Sequence, residues 1–131
     1  TIINDSKSTS FSSSIGVLKA NRNIYWLLGG IYKKGDKFNL SKKYFKNIKA
    51  FIYGKNKKFF NKKLKGKIKY KNFHDLKDAL KKIFSIIKKE KFVDKTILFS
   101  PCAASFDSFK NFEDRGLYFN KLVKKQLNGT Q

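Results

Sequence analysis

The sequence predicts an α/β fold, a mostly parallel sheet of about five to six strands with helices on both faces, and three observations carry that reading. Strand-like runs of β-branched and aromatic residues alternate along the chain with segments of helical apolar spacing, the pattern of a sheet built through right-handed crossovers. The run Ile24-Tyr25-Trp26-Leu27-Leu28 is continuously apolar, as a strand covered on both faces is, and Thr96-Ile97-Leu98-Phe99 is a short apolar run rich in β-branched and aromatic residues. The 131 residues, 40% hydrophobic and 16% aromatic, fill one core and one domain. No run approaches the roughly 18 apolar residues of a membrane span.

Thr1 to Asn4 reads as a short strand that begins at the first residue, which suggests a chain cut from something longer. Asp5 to Ser10 is a polar loop with several helix caps, after which Phe11, Ile15 and Leu18 recur at helical spacing to about Asn21. Gly29-Gly30 stop the strand Ile24–Leu28. Ile31 to Phe38 is lysine-rich and irregular, with Gly35-Asp36 as turn residues. Leu40 to Lys46 reads as a brief helix, Ala50 to Tyr53 as a strand ended by Gly54, and Lys55 to Leu64 as a helix burying Phe59, Phe60 and Leu64. Lys67 to Tyr70 alternates as a half-exposed strand near a sheet edge does. Leu76, Leu80, Ile83 and Ile87 mark a helix from His74 to Lys89. It leads through Asp94 into Thr96–Phe99, which Ser100 and the chain's only proline, Pro101, terminate. Small residues 102–105 follow, Asp107 or Ser108 offers a cap, and Phe112, Phe119, Leu122 and Val123 line a last helix ending near Asn128-Gly129.

A formal net charge of +22 by itself suggests a polyanionic partner, so a lysine-rich nucleic-acid-binding domain without enzymatic activity is the alternative reading. Only Arg22 and Arg115 are arginine, however, and base readout leans on the guanidinium fork. Lysine travels here with Asn, Ile, Phe and Tyr, a mixture that codon bias towards A and T produces without selection for function. The lone Cys102 excludes an internal disulfide and fits a reducing compartment. His74 has no partner at metal-ligand spacing, and Cys102 has no base in view to make it a nucleophile. No G-x-x-x-x-G-K-[ST] occurs, so Gly29-Gly30 is not a phosphate loop.

In a parallel sheet the loops that follow the strands leave one edge, and ligands gather there. Asp5, Lys7 and Thr9 follow the first strand, Lys33 follows the second, and Ser105 to Phe112 follow the last. Two lysines, two hydroxyls and a helix N-terminus suit a small dicarboxylate, each ammonium neutralising one carboxylate. Plainer roles exist for each residue. Asp5 and Ser6 can cap a helix, Lys33 can be a solvated charge, Phe106 and Phe112 can be core rings, and Glu113, Asp114 and Arg115 can be a first helical turn with its salt bridges.

The string SPCAASFDSFKNFEDRG, residues 100–116, resembles a signature of the Mur ligase family in its D-glutamate-adding branch. Asn4-Asp5-Ser6-Lys7-Ser8-Thr9 and Leu27-Leu28-Gly29-Gly30 with Lys33 agree with it in the same order. Cys102-Ala103 stand where the family more often has those two types reversed, a small change since both are small. The resemblance implies a Rossmann-like C-terminal domain, with the UDP-binding N-terminal and ATP-binding central domains absent from this chain. It implies that Lys7, Thr9, Lys33, Ser105, Phe106 and Phe112 hold D-glutamate, that Lys7 serves catalysis, and that Asp5 reaches the nucleotide. The implied chemistry is amide formation. ATP, with Mg2+ held mainly by the central domain, phosphorylates the carboxylate of UDP-N-acetylmuramoyl-L-alanine, and the D-glutamate amine attacks the acyl phosphate. A cytoplasmic, monomeric enzyme of peptidoglycan precursor synthesis follows, with no specific nucleic acid and no membrane among its partners. This domain alone is expected to be inactive.

Overall fold

The computed structural model describes residues 1–90, 94–105 and 109–129. Among them five strands form one sheet: β1 (Ile2–Asn4), β2 (Ile24–Gly29), β3 (Ile48–Tyr53), β4 (Lys69–Phe73) and β5 (Thr96–Phe99). Their order is β1-β5-β2-β3-β4, and every pairing is parallel. The helices are α1 (Phe11–Ala20), α2 (Lys57–Leu64), α3 (Leu76–Lys89) and α4 (Phe112–Gly129), and a 3₁₀ helix covers Lys42–Asn47. The expected Rossmann-like α/β class is the one the chain adopts.

β2 lies at the centre, and all six of its residues are buried. Because side chains alternate along a strand, Ile24, Trp26 and Leu28 enter one core with Phe11 and Leu18 of α1 and Phe60 and Leu64 of α2. Tyr25 and Leu27 enter the other, with Leu80 and Ile83 of α3 and Phe119 of α4. Each large side chain so buried contributes about 1.5–3 kcal/mol. The two cores also fix the path of the chain. Crossovers moving from β1 towards β4 cover the first face, and the return through α3 covers the second, as right-handed connections require. After β2 the chain turns onto the first face, whereas after β5 it turns onto the second. The loops that follow both strands leave the carboxyl edge of the sheet, the place where α/β folds hold ligands.

The boundaries depart from the expected ones for local reasons. α3 begins at Leu76, not at His74, because Asp75 is extended and its carboxylate accepts from the Asp78 amide at 2.8 Å. The fourth strand begins at Lys69 because the amides of Lys67 and Ile68 still bond to the Leu64 carbonyl, closing α2. β3 starts at Ile48, the brief helix is the 3₁₀ turn, and α2 starts at Lys57. Phe59 is only partly buried, its ring stacked on Tyr32 with centroids 4.3 Å apart. Phe38 and Leu40, in a stretch with no regular period, are buried, and Phe38 meets Phe11 edge-on. The sequence offers Phe112 as a core ring or as a D-glutamate contact. It is 42% exposed, because as the first residue of α4 it sits at the rim, above the turn that faces the sheet. The expected caps Asp107 and Ser108 lie outside the described residues, and Asn111 accepts from the Asp114 amide at 2.8 Å.

Candidate functional site

Hydrogen bonds tie together the three loops that leave the carboxyl edge. The Asp5 amide donates to Phe99 O at 2.7 Å, extending the pairing of β1 with β5 by one residue. Beyond β2, Ile31 and Ala104 exchange two backbone bonds of 3.0 and 2.9 Å, which fastens the loop after β2 to the loop after β5. The approach is too close for a side chain: a Cβ at Gly30 (φ +125°) would stand 2.7 Å from Ala104 O, and one at Gly29 2.3 Å from Tyr53 O. Farther along, Asp36 accepts from the Phe11 amide at 2.7 Å, pinning the Lys33 turn to the start of α1. Glycines and a carboxylate thus hold the loops where they meet.

Arg115 is the centre of this junction. It was expected to join Glu113 and Asp114 in an exposed first turn with its salt bridges, but it is 1% exposed. Its guanidinium donates to Ser6 O at 2.6 Å, Ala103 O at 2.8 Å, Ser6 Oγ at 3.2 Å and Ser8 O at 3.4 Å. Ser6 Oγ in turn donates to Phe112 O at 2.7 Å. One planar fork therefore joins the loop after β1, the loop after β5 and the first turn of α4, a task for which the single donor point of lysine is poorly shaped. A signal was present in the sequence: one of two arginines in a chain that otherwise uses lysine marks a position where the fork is required.

Beneath Asp5 runs a buried chain of hydroxyls. Ser8 and Ser14 are 2.6 Å apart, Ser14 contacts Ser100, and Ser100 donates to the Asp5 carboxylate at 2.8 Å. Ser8 Oγ donates to Ser10 O at 3.3 Å, while Ser100 gives its single proton to the Asp5 carboxylate. Trp26 Nε1 fixes the Ser100 carbonyl at 2.8 Å. Cys102, fully buried against Ser14 at 3.0 Å, has its thiol pushed up to about 12, by burial first and against the hydrogen bonds of Ser14 and Ser8. It is a small core residue and no nucleophile, as its sequence context suggested.

Lys7 and Thr9 are exposed on the loop after β1, and Lys33 is exposed on the loop after β2. Ser105 is buried beside the Ile31–Ala104 bridge, and Phe112 stands at the rim. Phe106 lies outside the described residues. The structure thus brings the three loops to one edge, and Asp5 and Ser105 sit within the bonded junction. The same edge carries a cavity of about 280 Å³ above the ends of β2 and β3, lined by Gly30, Gly54, His74, Asp75, Arg115 and Tyr118 among others. Gly29 and Gly30 line it, but none of Asp5, Lys7, Thr9, Lys33, Ser105 and Phe112 does. The Tyr118 phenol is raised by burial and then by the charges of Asp75 and Asp78. Among the described residues no group of three or more His, Cys, Asp and Glu is arranged to hold a metal ion. No helix among them is long and apolar enough to cross a membrane.

No family model matches the sequence. Curated proteins do. The chain is 41% identical over 120 residues, 91% of its length, to a UDP-N-acetylmuramoylalanine–D-glutamate ligase of Rickettsia bellii. It is 38% identical over 94% of its length to a ligase of the same description from a Wolbachia of Brugia malayi, and 38% identical over 97% to one from Hydrogenobaculum. This chain is a domain of that ligase family. It spans 24–30% of the length of these relatives, so the ligase domain is about a quarter of the proteins it matches. None of the three descriptions points to nucleic acid, and the nucleic-acid reading of the +22 charge gains no support from them.

Proposed function

We propose that this is the D-glutamate-binding, C-terminal domain of an ATP-dependent amide ligase that extends UDP-N-acetylmuramoyl-L-alanine in peptidoglycan precursor synthesis. The observation that carries the reading is the junction at the carboxyl edge. Loops bearing Lys7 and Thr9, Lys33, and Ser105 are hydrogen-bonded to one another there, in a chain similar along nearly its whole length to ligases of that description. Lys7 and Lys33 then neutralise the two carboxylates of D-glutamate, while Thr9 and Ser105 donate to them and fix the direction of the amine. Phe112, exposed at the start of α4, closes the rim. Asp5, oriented from below by Ser100, accepts from a nucleotide hydroxyl.

The reaction proceeds by transfer of the γ-phosphoryl group of ATP to the carboxylate of the acceptor. The D-glutamate amine attacks the acyl phosphate, the C–N bond forms, and the C–O bond to phosphate breaks with release of inorganic phosphate. Within this domain the contribution is positional: the loops place an amine against an activated carbon and exclude competing orientations. Lys7 adds positive charge where phosphate departs.

Lys33→Ala in the complete ligase tests the site. Loss of a charge-assisted contact to carboxylate raises the D-glutamate KM about ten- to hundredfold and leaves the KM for ATP in place. An unchanged D-glutamate KM removes Lys33 from the pocket. Ligation of D-glutamate by the isolated 131-residue chain contradicts the division of labour proposed here.

A further inference from the structure

The positive charge of this chain is sorted, and the sorting points away from the site. From Lys37 to His74, thirty-eight residues hold fourteen lysines and no acid, while the remaining ninety-three hold the other fifteen lysines and all nine acids. Codon bias towards A and T supplies lysine everywhere but does not remove aspartate and glutamate from one segment. That segment folds into the 3₁₀ helix, β3, α2 and β4, so the charge is concentrated on one flank of the sheet.

At the amino ends of β3 and β4 the concentration takes a definite shape. An open groove of about 610 Å³ is lined by Lys42, Lys43, Lys46, Lys49, Lys67 and Lys69, with Phe45, Ile48 and Gly66 as its floor. All six lysines are exposed, and among the described residues neither an acid nor an arginine lines the groove. Like charges held this close repel and lower stability unless something supplies the counter-charge. The groove lies at the edge of the sheet where its strands begin, whereas the loops of the ligase site lie where they end. The six residues of β3 separate the two by roughly 20 Å.

We infer that, against the expectation of no membrane partner, this face docks peripherally on an anionic phospholipid surface through its lysines, with the carboxyl edge turned away from it. Lysine ammoniums are compact charges suited to lipid phosphates, and each one near an anionic leaflet raises the affinity several-fold. Nucleic acid fits less well. Stacking platforms need open ring faces, but Phe45 is half-buried and Lys43 Nζ covers the Tyr44 ring at 5.2 Å from its centroid. The absence of arginine from the groove removes base readout as well.

The test is co-sedimentation of the full chain with vesicles. Binding to vesicles containing phosphatidylglycerol, absence of binding to pure phosphatidylcholine, and loss of binding in high salt are the expected results. Lys43→Glu/Lys46→Glu/Lys69→Glu lowers vesicle affinity at least about a hundredfold. Lys81→Glu/Lys82→Glu/Lys124→Glu makes the same change in net charge on exposed positions of α3 and α4, and it costs far less. Circular dichroism and urea midpoints establish that both variants are folded. Equal losses in the two triple variants, equal binding to neutral vesicles or no binding at all overturns the proposal. So does displacement of the vesicles by single-stranded RNA at matched salt, which makes nucleic acid the occupant.

Discussion

Arg115→Met asks how much of the site's architecture rests on one side chain. Methionine keeps an unbranched stem of similar length but deletes the fork, leaving Ser6 O and Ala103 O without the donors that now lie 2.6 and 2.8 Å away. A hydrogen bond from a charged donor contributes about 1.5–3 kcal/mol, so the two short bonds together account for roughly 3–6 kcal/mol. Against this, methionine is relieved of the desolvation that a buried guanidinium carries. A net loss of about 2–4 kcal/mol remains, which in a domain of this size lowers Tm by on the order of 10 °C. Urea unfolding followed by far-ultraviolet circular dichroism measures it, with Lys121→Met, at an exposed position of the same helix, as reference. If Arg115→Met costs no more than Lys121→Met, the guanidinium does not hold the loops together. The fixed geometry proposed for D-glutamate then loses its physical basis.

Three further outcomes are expected. Gly30→Ala should cost about 2–4 kcal/mol, because its Cβ meets Ala104 O at 2.7 Å on a backbone with φ +125°; Gly66→Ala, with φ +74° and open space around it, should cost only about 1–2 kcal/mol, and equal losses dismiss the steric account. The Tyr25 phenol is pushed from 10.0 up to about 12, by burial first and then by the hydrogen bond and charge of Glu90. The folded chain thus keeps a proton that the unfolded chain gives up, and the stability Tyr25 contributes, complete below pH 10, is lost as pH rises towards 12. The difference in stability between wild type and Tyr25→Phe should change across that window and stay flat below it. Cys102, with its thiol raised to about 12 by complete burial, should react with a thiol reagent only at the rate of unfolding, so fast labelling of the native chain contradicts the burial.

Sequence was most informative where burial is continuous. β2 and β5 announced themselves as apolar runs that alternate between two cores, and the spacing of Leu76, Leu80 and Ile83 announced α3. Parallel topology followed from the alternation of strands and helices, and from it the prediction that loops bearing Lys7, Lys33 and Ser105 leave one edge. Element ends were legible only to within two or three residues, because the Asp75 cap and the closing bonds of α2 on Leu64 O depend on local backbone angles. Phe38 and Leu40 escaped notice because a buried loop has no period.

By itself the sequence determined the fold class, the family and the order of the loops, since all three depend on which residue types follow which along the chain. Tertiary structure alone decided that Arg115 is an internal brace and not a surface charge, that Asp5 is oriented by Ser100, and that lysines far apart in sequence line one groove. Those outcomes depend on distances between segments up to a hundred residues apart. A linear pattern carries the chemistry of each segment, but only the closed sheet sets what stands across from it.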